Sequence, residues 1–423
     1  MKLFQKLLVA GTGLGLLSPM AAPASEIYNL EAMNSYKRSE KKAKRFDNNS
    51  FFNKVNENFA ILEGSNGSPK VKSQFFEAGG FSDTTSLDQK LVLSLGGAET
   101  DNGLGNGEFD GKMQASFSYT MNLNSSFTGD DNLYIRLKDG NHDGYSVQKG
   151  EQNTYLVAGK GNNELKVDKI WYSTSVGEKN TFWIGPKIEN YYMHGTTPSI
   201  YKPVLKAFTL GGNAAAYGAS TSPGAGWAYK FENGVALSSN FTTKKGSYKG
   251  LLTDEGESSW ATQVGYTKPN YSVSAIVNNK YNGWKDTSYF TSDDGALRPG
   301  DGHSTNIGYR AWWRPDETGT PVPAISLGYD TTSLDADQST SAYFVGLNWQ
   351  DILTVDDRIG IAFGQPQKHE DELINPFLYE IYYEFKVNDA LTLTPTLFGG
   401  THEDANDFET EMTGYVLNTT FKF

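Results

Sequence analysis

The chain has no cysteine among its 423 residues. No disulfide can hold it and no thiolate chemistry is open to it. Beyond the first 24 residues, no apolar run approaches the roughly 18–20 residues that a spanning helix requires. Basic residues are in deficit, with 37 Lys and Arg against 49 Asp and Glu, a formal charge of -12. So acidic a chain has little with which to neutralise phosphates, which argues against a nucleic-acid partner. Hydrophobic residues are only 38%, yet aromatics reach 13%, with 24 Tyr, 24 Phe and 8 Trp. A chain so poor in apolar runs can cross a membrane only as a closed barrel, because lipid offers no partner to an open sheet edge. Low hydropathy is then expected, since every second residue of such a strand faces water.

The first 24 residues read as an export signal. Lys2 and Lys6 form a basic start, Leu7 to Leu17 an apolar stretch, and Ala22-Pro23-Ala24 a small-residue cleavage site. Their removal takes away two lysines and no acid, so the charge falls from -12 to -14. Residues 25–70 have a different composition. Lys37, Arg38, Lys41, Lys42, Lys44 and Arg45 cluster, and Phe52, Val55, Phe59 and Leu62 recur at helical spacing. This stretch reads as a basic periplasmic leader with a short helix, either simply solvated or touching anionic cell-wall polymer (peptidoglycan) or the inner leaflet. Gly64 to Ser68 reads as a linker.

The remainder, 71–423, alternates in twos. Phe377, Tyr379, Ile381, Tyr383, Phe385 and Val387 fall on one face, and Leu378, Glu380, Tyr382, Glu384 and Lys386 on the other. Met113, Ala115, Phe117, Tyr119, Met121 and Leu123 interleave with Lys112, Gln114, Ser116, Ser118, Thr120 and Asn122. The spacing predicts strands near 86–97, 111–124, 130–139, 164–176, 180–189, 219–231, 235–243 and 258–267. Eight more follow near 270–279, 303–314, 321–331, 339–349, 357–364, 376–387, 390–400 and 409–423. Short turns and long polar links alternate between them, as in an up-and-down barrel with turns on one membrane side and loops on the other. The expected fold is all-β: a transmembrane antiparallel barrel of about 16 strands, wide enough to enclose an aqueous channel. Phe208 to Tyr217 could count as a further strand, which would break the parity.

Five blocks occur in order: FEAGGFSDTTSL (76–87), GYRAWWRPDETGTPVPAISLGYD (308–330), VGLNWQDIL (345–353), AFGQPQ (362–367) and YEIYYEFKVNDALTLTPTLF (379–398). Over roughly 75–423 the chain resembles the carbohydrate-selective OprB-type porins, and most of all their cyanobacterial branch, often labelled iron-uptake porins. The resemblance implies a water-filled outer-membrane channel for small hydrophilic solutes, usually a homotrimer, set among outer-membrane lipid and lipopolysaccharide. Many members of that branch carry an S-layer-homology domain before the barrel, and residues 25–70 are too few for one.

Alternation also nominates lumen residues, because a charge at the lipid midplane costs about 2–4 kcal/mol. Arg136 and Lys138 oppose Leu133, Ile135 and Leu137. Arg310 and Arg314 oppose Ile307, Tyr309, Ala311 and Trp313, and Lys187 opposes Phe182, Ile184 and Ile188. Lys169 is best turned inward, and Glu380 and Glu384 face the lumen on another strand. Such charges either favour anions and sugar hydroxyls or simply solvate the lumen and pair with one another. The longest link, 190–218, carries Tyr191, Tyr192, Met193, Ile200, Tyr201, Val204, Leu205 and Phe208. A loop of that length and apolarity is usually functional, and in the resembling porins a long loop folds inward to narrow the channel. Tyr191, His194, Tyr201, Lys202 and Lys206 are therefore expected to face Arg136, Lys169, Lys187 and Arg310 across the narrowest section.

No catalytic constellation stands out. His142, His194, His303, His369 and His402 lie in or beside long loops, none in a recognisable Ser–carboxylate setting. Loop carboxylates such as Glu370–Asp371–Glu372 lack the spacing of a calcium site, so neither a metal nor a cofactor is expected. A barrel enzyme or a secreted soluble β-protein are the alternatives to a channel.

Overall fold

The computed structural model describes residues 84–101, 111–142, 156–159, 163–212, 214–218, 221–244, 249–284, 302–335, 338–403 and 409–423. The expected signal peptide (1–24) and basic leader (25–70) lie outside the described residues.

Sixteen strands follow one another in the expected order. They are β1 (Thr85–Thr100), β2 (Gln114–Ser125), β3 (Asp131–Gly140), β4 (Lys166–Val176), β5 (Asn180–Ile188), β6 (Ser222–Lys230), β7 (Val235–Thr243) and β8 (Ser258–Lys268). Then come β9 (Tyr271–Tyr281), β10 (Ser304–Trp313), β11 (Ala324–Leu334), β12 (Ser339–Gln350), β13 (Arg358–His369), β14 (Phe377–Lys386), β15 (Leu391–Glu403) and β16 (Glu409–Lys422). Each pairs antiparallel with its neighbours, and β1 pairs with β16 from Lys90↔Lys422 to Thr100↔Met412, so the sheet closes into a barrel. Closure leaves no sheet edge, which is what lipid demands.

The pleat sorts the side chains. In β10 the outward set includes Tyr309, 53% exposed, while Asn306, Gly308, Arg310 and Trp312 are buried on the inner face. In β14 Ile381 faces out and Leu378, Glu380 and Tyr382 face in. Leu93, Leu95, Ile184, Val273, Val277, Leu327, Tyr329, Leu397, Tyr415 and Leu417 extend the exposed apolar band around the barrel. Such a band suits hydrocarbon, and no helix among the described residues is long and apolar enough to cross a membrane.

Three local readings change. Phe208 to Tyr217 is no strand: it forms a 3-10 turn (Lys206–Gly211) and one short α turn (Ala214–Tyr217), so the even strand count stands. β13 runs on to His369 instead of ending at 364. Pro366 is tolerated because the register with β12 shifts between Ser341 and Tyr343, which removes the ladder bond that proline could not donate. Connections alternate by side rather than strictly by length, for the link 335–338 is shorter than the turn 314–323.

Candidate pore constriction

Residues 190–218 do not stand away from the barrel. They run out along its inner wall and back. On the outward limb, the Asn190 side chain donates to Ser259 Oγ (3.0 Å) and accepts from Thr242 Oγ1 (3.1 Å). Gly195 N donates to Ser238 Oγ at 2.9 Å and Thr196 N to Gln263 Oε1 at 3.0 Å. Trp312 Nε1 donates to Thr197 O, and Tyr201 N reaches Ser326 Oγ. At the far end Glu380 accepts from Tyr201 Oη (2.8 Å), from Val204 N (3.1 Å) and from Leu205 N (2.6 Å). On the returning limb, Asn278 Nδ2 donates to Ala216 O and Gln263 Nε2 to Tyr217 Oη. All these wall partners lie on the inward face of β7 to β14.

Small residues make the bed. A Cβ on Gly328 would come within 2.1 Å of Gly211 O, and one on Gly346 within 2.7 Å of the Tyr201 ring. Gly226, Gly265 and Gly308 similarly leave room for Met193, Thr196 and Ala216. One inward glycine on each of β6, β8, β10, β11 and β12 thus lets the loop lie close against the wall. The far end is an apolar core inside the barrel. Tyr201, Val204, Leu205 and Phe208 of the loop pack with Phe344, Leu378, Tyr382, Phe398 and Met412 of the wall. Leu156, from the link after β3, joins this core and pairs with Leu205.

The cations predicted to line the pore have unlike surroundings. Arg136 donates to Asp168 (Nε–Oδ2 2.7 Å, with Nη2 at 2.6 Å) and lies 3.5 Å from Tyr192 Oη; Lys138 sits 3.4 Å from the same Asp168. Lys169 is almost fully buried at the root of the loop. It pairs with Glu189 at 2.5 Å and lies over the Tyr191 and Tyr192 rings. Arg310 is covered by the returning limb: it grips Asp330 through two hydrogen bonds (2.9 and 3.0 Å), donates to Leu210 O (2.8 Å) and stacks on Tyr217. Lys187 stands apart at a register shift in β5, exposed, donating to Val167 O at 2.9 Å. Arg314 is on the turn side beyond β10, donating to Pro269 O and lying over Trp312.

The expected facing of the loop toward these cations therefore needs correction. Tyr191 does lie near Lys169, but Tyr201 meets Glu380, and Lys202 pairs with Glu384 at 2.5 Å. Among the described residues His194 meets no cation. It packs edge-on against Tyr217 and its Nδ1 lies 3.3 Å from the Asn240 amide. Burial pulls its pKa down to about 3, so the ring is neutral. Lys206 opens the 3-10 turn beside the apolar core. The physical reason is the loop's path: an out-and-back run puts one limb's ends against opposite parts of the wall, and the deepest part meets the two carboxylates of β14.

Sequence reading missed four inner-face cations. Lys422, Lys90, Thr120, Lys138 and Lys166 form one continuous register row across β16, β1, β2, β3 and β4. Arg358 pairs with Glu384 across β13 and β14. Parity was the available signal, because Lys90 opposes Leu91, Leu93 and Leu95, and Lys422 opposes Phe421. Among the described residues, no group of three or more His, Asp and Glu could hold a metal ion.

No protein-family model matches the chain. An uncharacterized protein of Nostoc sp. is 23% identical over 415 residues, an alignment covering 86% of this chain and 70% of that protein. Among solved structures, OprB of Pseudomonas putida superposes over 80% of this chain and 94% of its own, with a TM-score of 0.56 at 11% identity. The anion-selective porin of Comamonas acidovorans gives 0.55 at 11% identity, over 80% and 99% of the two chains. A loop-deleted OmpT, an outer-membrane protein of Vibrio cholerae, gives 0.53 at 10% identity, again over 80% and 99%. The chain has the fold of the outer-membrane porin barrels.

Proposed function

We propose that this protein is an outer-membrane porin, a water-filled channel for passive diffusion of small hydrophilic solutes, constricted by residues 190–218 and favouring anions. The observation that carries it is the loop itself. A barrel closed against lipid holds a long segment fastened along β7 to β14 of its interior, and the strands from β16 through β1 to β4 carry the lysine row. Cations along a pore wall lower the barrier to anions and slow cations. The likeness to OprB and to an anion-selective porin agrees with this reading. The Nostoc relative fits a place in the cyanobacterial branch that the sequence blocks resemble. A homotrimer, outer-membrane lipid and lipopolysaccharide as surroundings, and peptidoglycan contact through 25–70 belong to the same proposal.

Purified protein in a planar bilayer should open discrete channels whose reversal potential in a KCl gradient shows chloride preference. Sugar entry into liposomes should follow solute size. A folded, heat-modifiable barrel that opens no channel would overturn the proposal.

A further inference from the structure

Arg358 is the first residue of β13 and faces inward, since Gly360 and Ala362 share its face while Ile359 and Ile361 face out. It is 8% exposed, yet its Nε and Nη1 are buried without a hydrogen-bond partner. Leaving charged donors buried and unmet is expensive, more so than for neutral groups. The neighbours explain the burial but do not meet the donors. The Tyr382 ring lies over Gly360, where a Cβ would fall 2.2 Å from it, and its hydroxyl accepts from Asn348 Nδ2 at 3.0 Å. Asp357, next in the chain, is saturated elsewhere: it accepts from Ile352 N, Leu353 N, Thr354 N and Tyr383 Oη.

The charge around Arg358 is lopsided. Glu384, its partner in register, is bound by Lys202 at 2.5 Å, and Lys202, Arg358 and Lys422 all act on that one carboxylate. Lys202 in turn feels the repulsion of Arg358 and Lys422. Lys202 already occupies Glu384, so the buried Nε and Nη1 of Arg358 are left for a further acceptor. It must accept several hydrogen bonds, because a guanidinium presents a planar fork.

We infer that the inner wall at Arg358 binds a tetrahedral oxyanion of the phosphate and sulfate class, held by the Arg358 fork and by the ammonium group of Lys202. The site is at the turn-side end of the constriction, where Lys202 hangs from the loop and Arg358 stands at a turn-side strand end. It rests on the channel reading and deepens it by naming a solute class: oxyanions would pause there, whereas chloride, which cannot span a fork, would pass.

Two measurements test this. Chloride current through single channels is recorded while inorganic phosphate or sulfate is added, and each protein is compared with its own phosphate-free current. The parent should be blocked in a saturable way, and Arg358→Gln should raise the half-blocking concentration about tenfold, the equivalent of 1.4 kcal/mol. Arg358→Lys, which keeps the charge but not the fork, should fall between. A parent channel that conducts but ignores both oxyanions, or equal half-blocking concentrations in parent and Arg358→Gln, would overturn the site and leave the channel reading intact. Crystals soaked in selenate give a readout that needs neither current nor a variant. An anomalous peak within hydrogen-bond distance of Arg358 Nε or Nη1 supports the site, and selenate peaks confined to other places overturn it. Absence of any conductance would count against the channel reading, and the selenate result would still decide the site.

Discussion

The inner wall of the barrel has two unlike arcs. From β6 to β14 its residues are mostly glycine, alanine, serine, asparagine, glutamine and buried aromatics, with the Arg310–Asp330 pair and Glu380 among them, and residues 190–218 cover them and reach on to Phe398 and Met412. From β16 through β1 to β4 the inner face instead bears Lys422, Lys90, Lys138 and Lys166 in one row. The difference follows from what each arc meets. A wall that receives a peptide backbone needs closeness and a hydrogen-bond partner for each backbone group, since any unmet polar group there is costly. A wall that the loop leaves uncovered can hold long flexible ammonium groups: Lys90, Lys166 and Lys422 are exposed, while Lys138 pairs with Asp168. The arcs meet where Arg136 and Lys169 touch Tyr191 and Tyr192 and where Met412 joins the apolar core, and away from those contacts each can be altered without the other.

The largest effect should come from uncovering the covered arc. Replacing residues 199–212 by a short Gly-Ser linker removes the part of the loop that reaches Glu380 and the apolar core. Single-channel conductance is expected to rise several-fold. A shortened protein that conducts like its parent would show that the loop does not limit the current.

Next in size is reversal of charge on the open arc. Lys90→Glu with Lys166→Glu, both exposed, should move the reversal potential from chloride toward potassium, with the barrel still folded. Arg310→Glu offers the contrast. Arg310 is under the loop and grips Asp330, so a glutamate there sets two buried carboxylates together and leaves Leu210 O unmet. Its expected outcome is a loosened loop or poor folding, not a clean change in selectivity. If Arg310→Glu shifts selectivity without raising conductance or lowering yield, the division into two arcs fails.

A smaller effect is expected at the clamp. Glu380 takes hydrogen bonds from Tyr201 Oη and from the backbone of Val204 and Leu205. Hydrogen bonds to a charged group contribute about 1.5–3 kcal/mol each, so Glu380→Ala should free the tip of the loop part of the time. Current traces would show brief openings to a higher level, and limited proteolysis would cut near 201–208. Glu380→Gln keeps an acceptor and should sit between parent and alanine. Identical traces in all three proteins would mean that the apolar core alone holds the tip.

Much of this was legible in the residues. A period of two in 16 segments, with apolar sets such as Tyr415, Leu417 and Phe421 on one face, is a local property that the folded barrel keeps. That the long link would be apolar enough to pack was legible too. Its path was not, because which wall a loop meets depends on contacts between residues far apart in the chain, such as Leu205 with Glu380. Tyr201 and Lys202 were accordingly set against the wrong charges. The inward glycines at 226, 265, 308, 328 and 346 stood in plain view, but a strand glycine has several uses, and only the loop beside it shows which applies. Arg358 was overlooked because it begins a strand, where alternation has only one side to be read from.

The smallest effect is on pH, at the neutral end of the covered arc. His194 is seated between Asn240 of β7 and the Tyr217 ring of the returning limb, whose other neighbour is the guanidinium of Arg310. No carboxylate contacts the imidazole among the described residues. Burial holds its pKa near 3, against about 6.5 for a histidine released into water. The sign follows from proton counting. Above pH 6.5 seated and released forms are both neutral, and the seat keeps its full stability. As pH falls from 6.5 toward 3, the released form takes a proton that the seated form refuses, so seating weakens by about 1.4 kcal/mol per pH unit, roughly 2 kcal/mol at pH 5. Open-channel noise and the share of high-conductance events should therefore rise between pH 6 and pH 4. Acid also adds a proton to carboxylates such as Glu380 at the loop tip, so the rise in His194→Asn is the needed reference. The part that this substitution removes belongs to His194. An equal rise in parent and variant would place the acid response at the clamp, and the first limb of the loop would then be insensitive to pH.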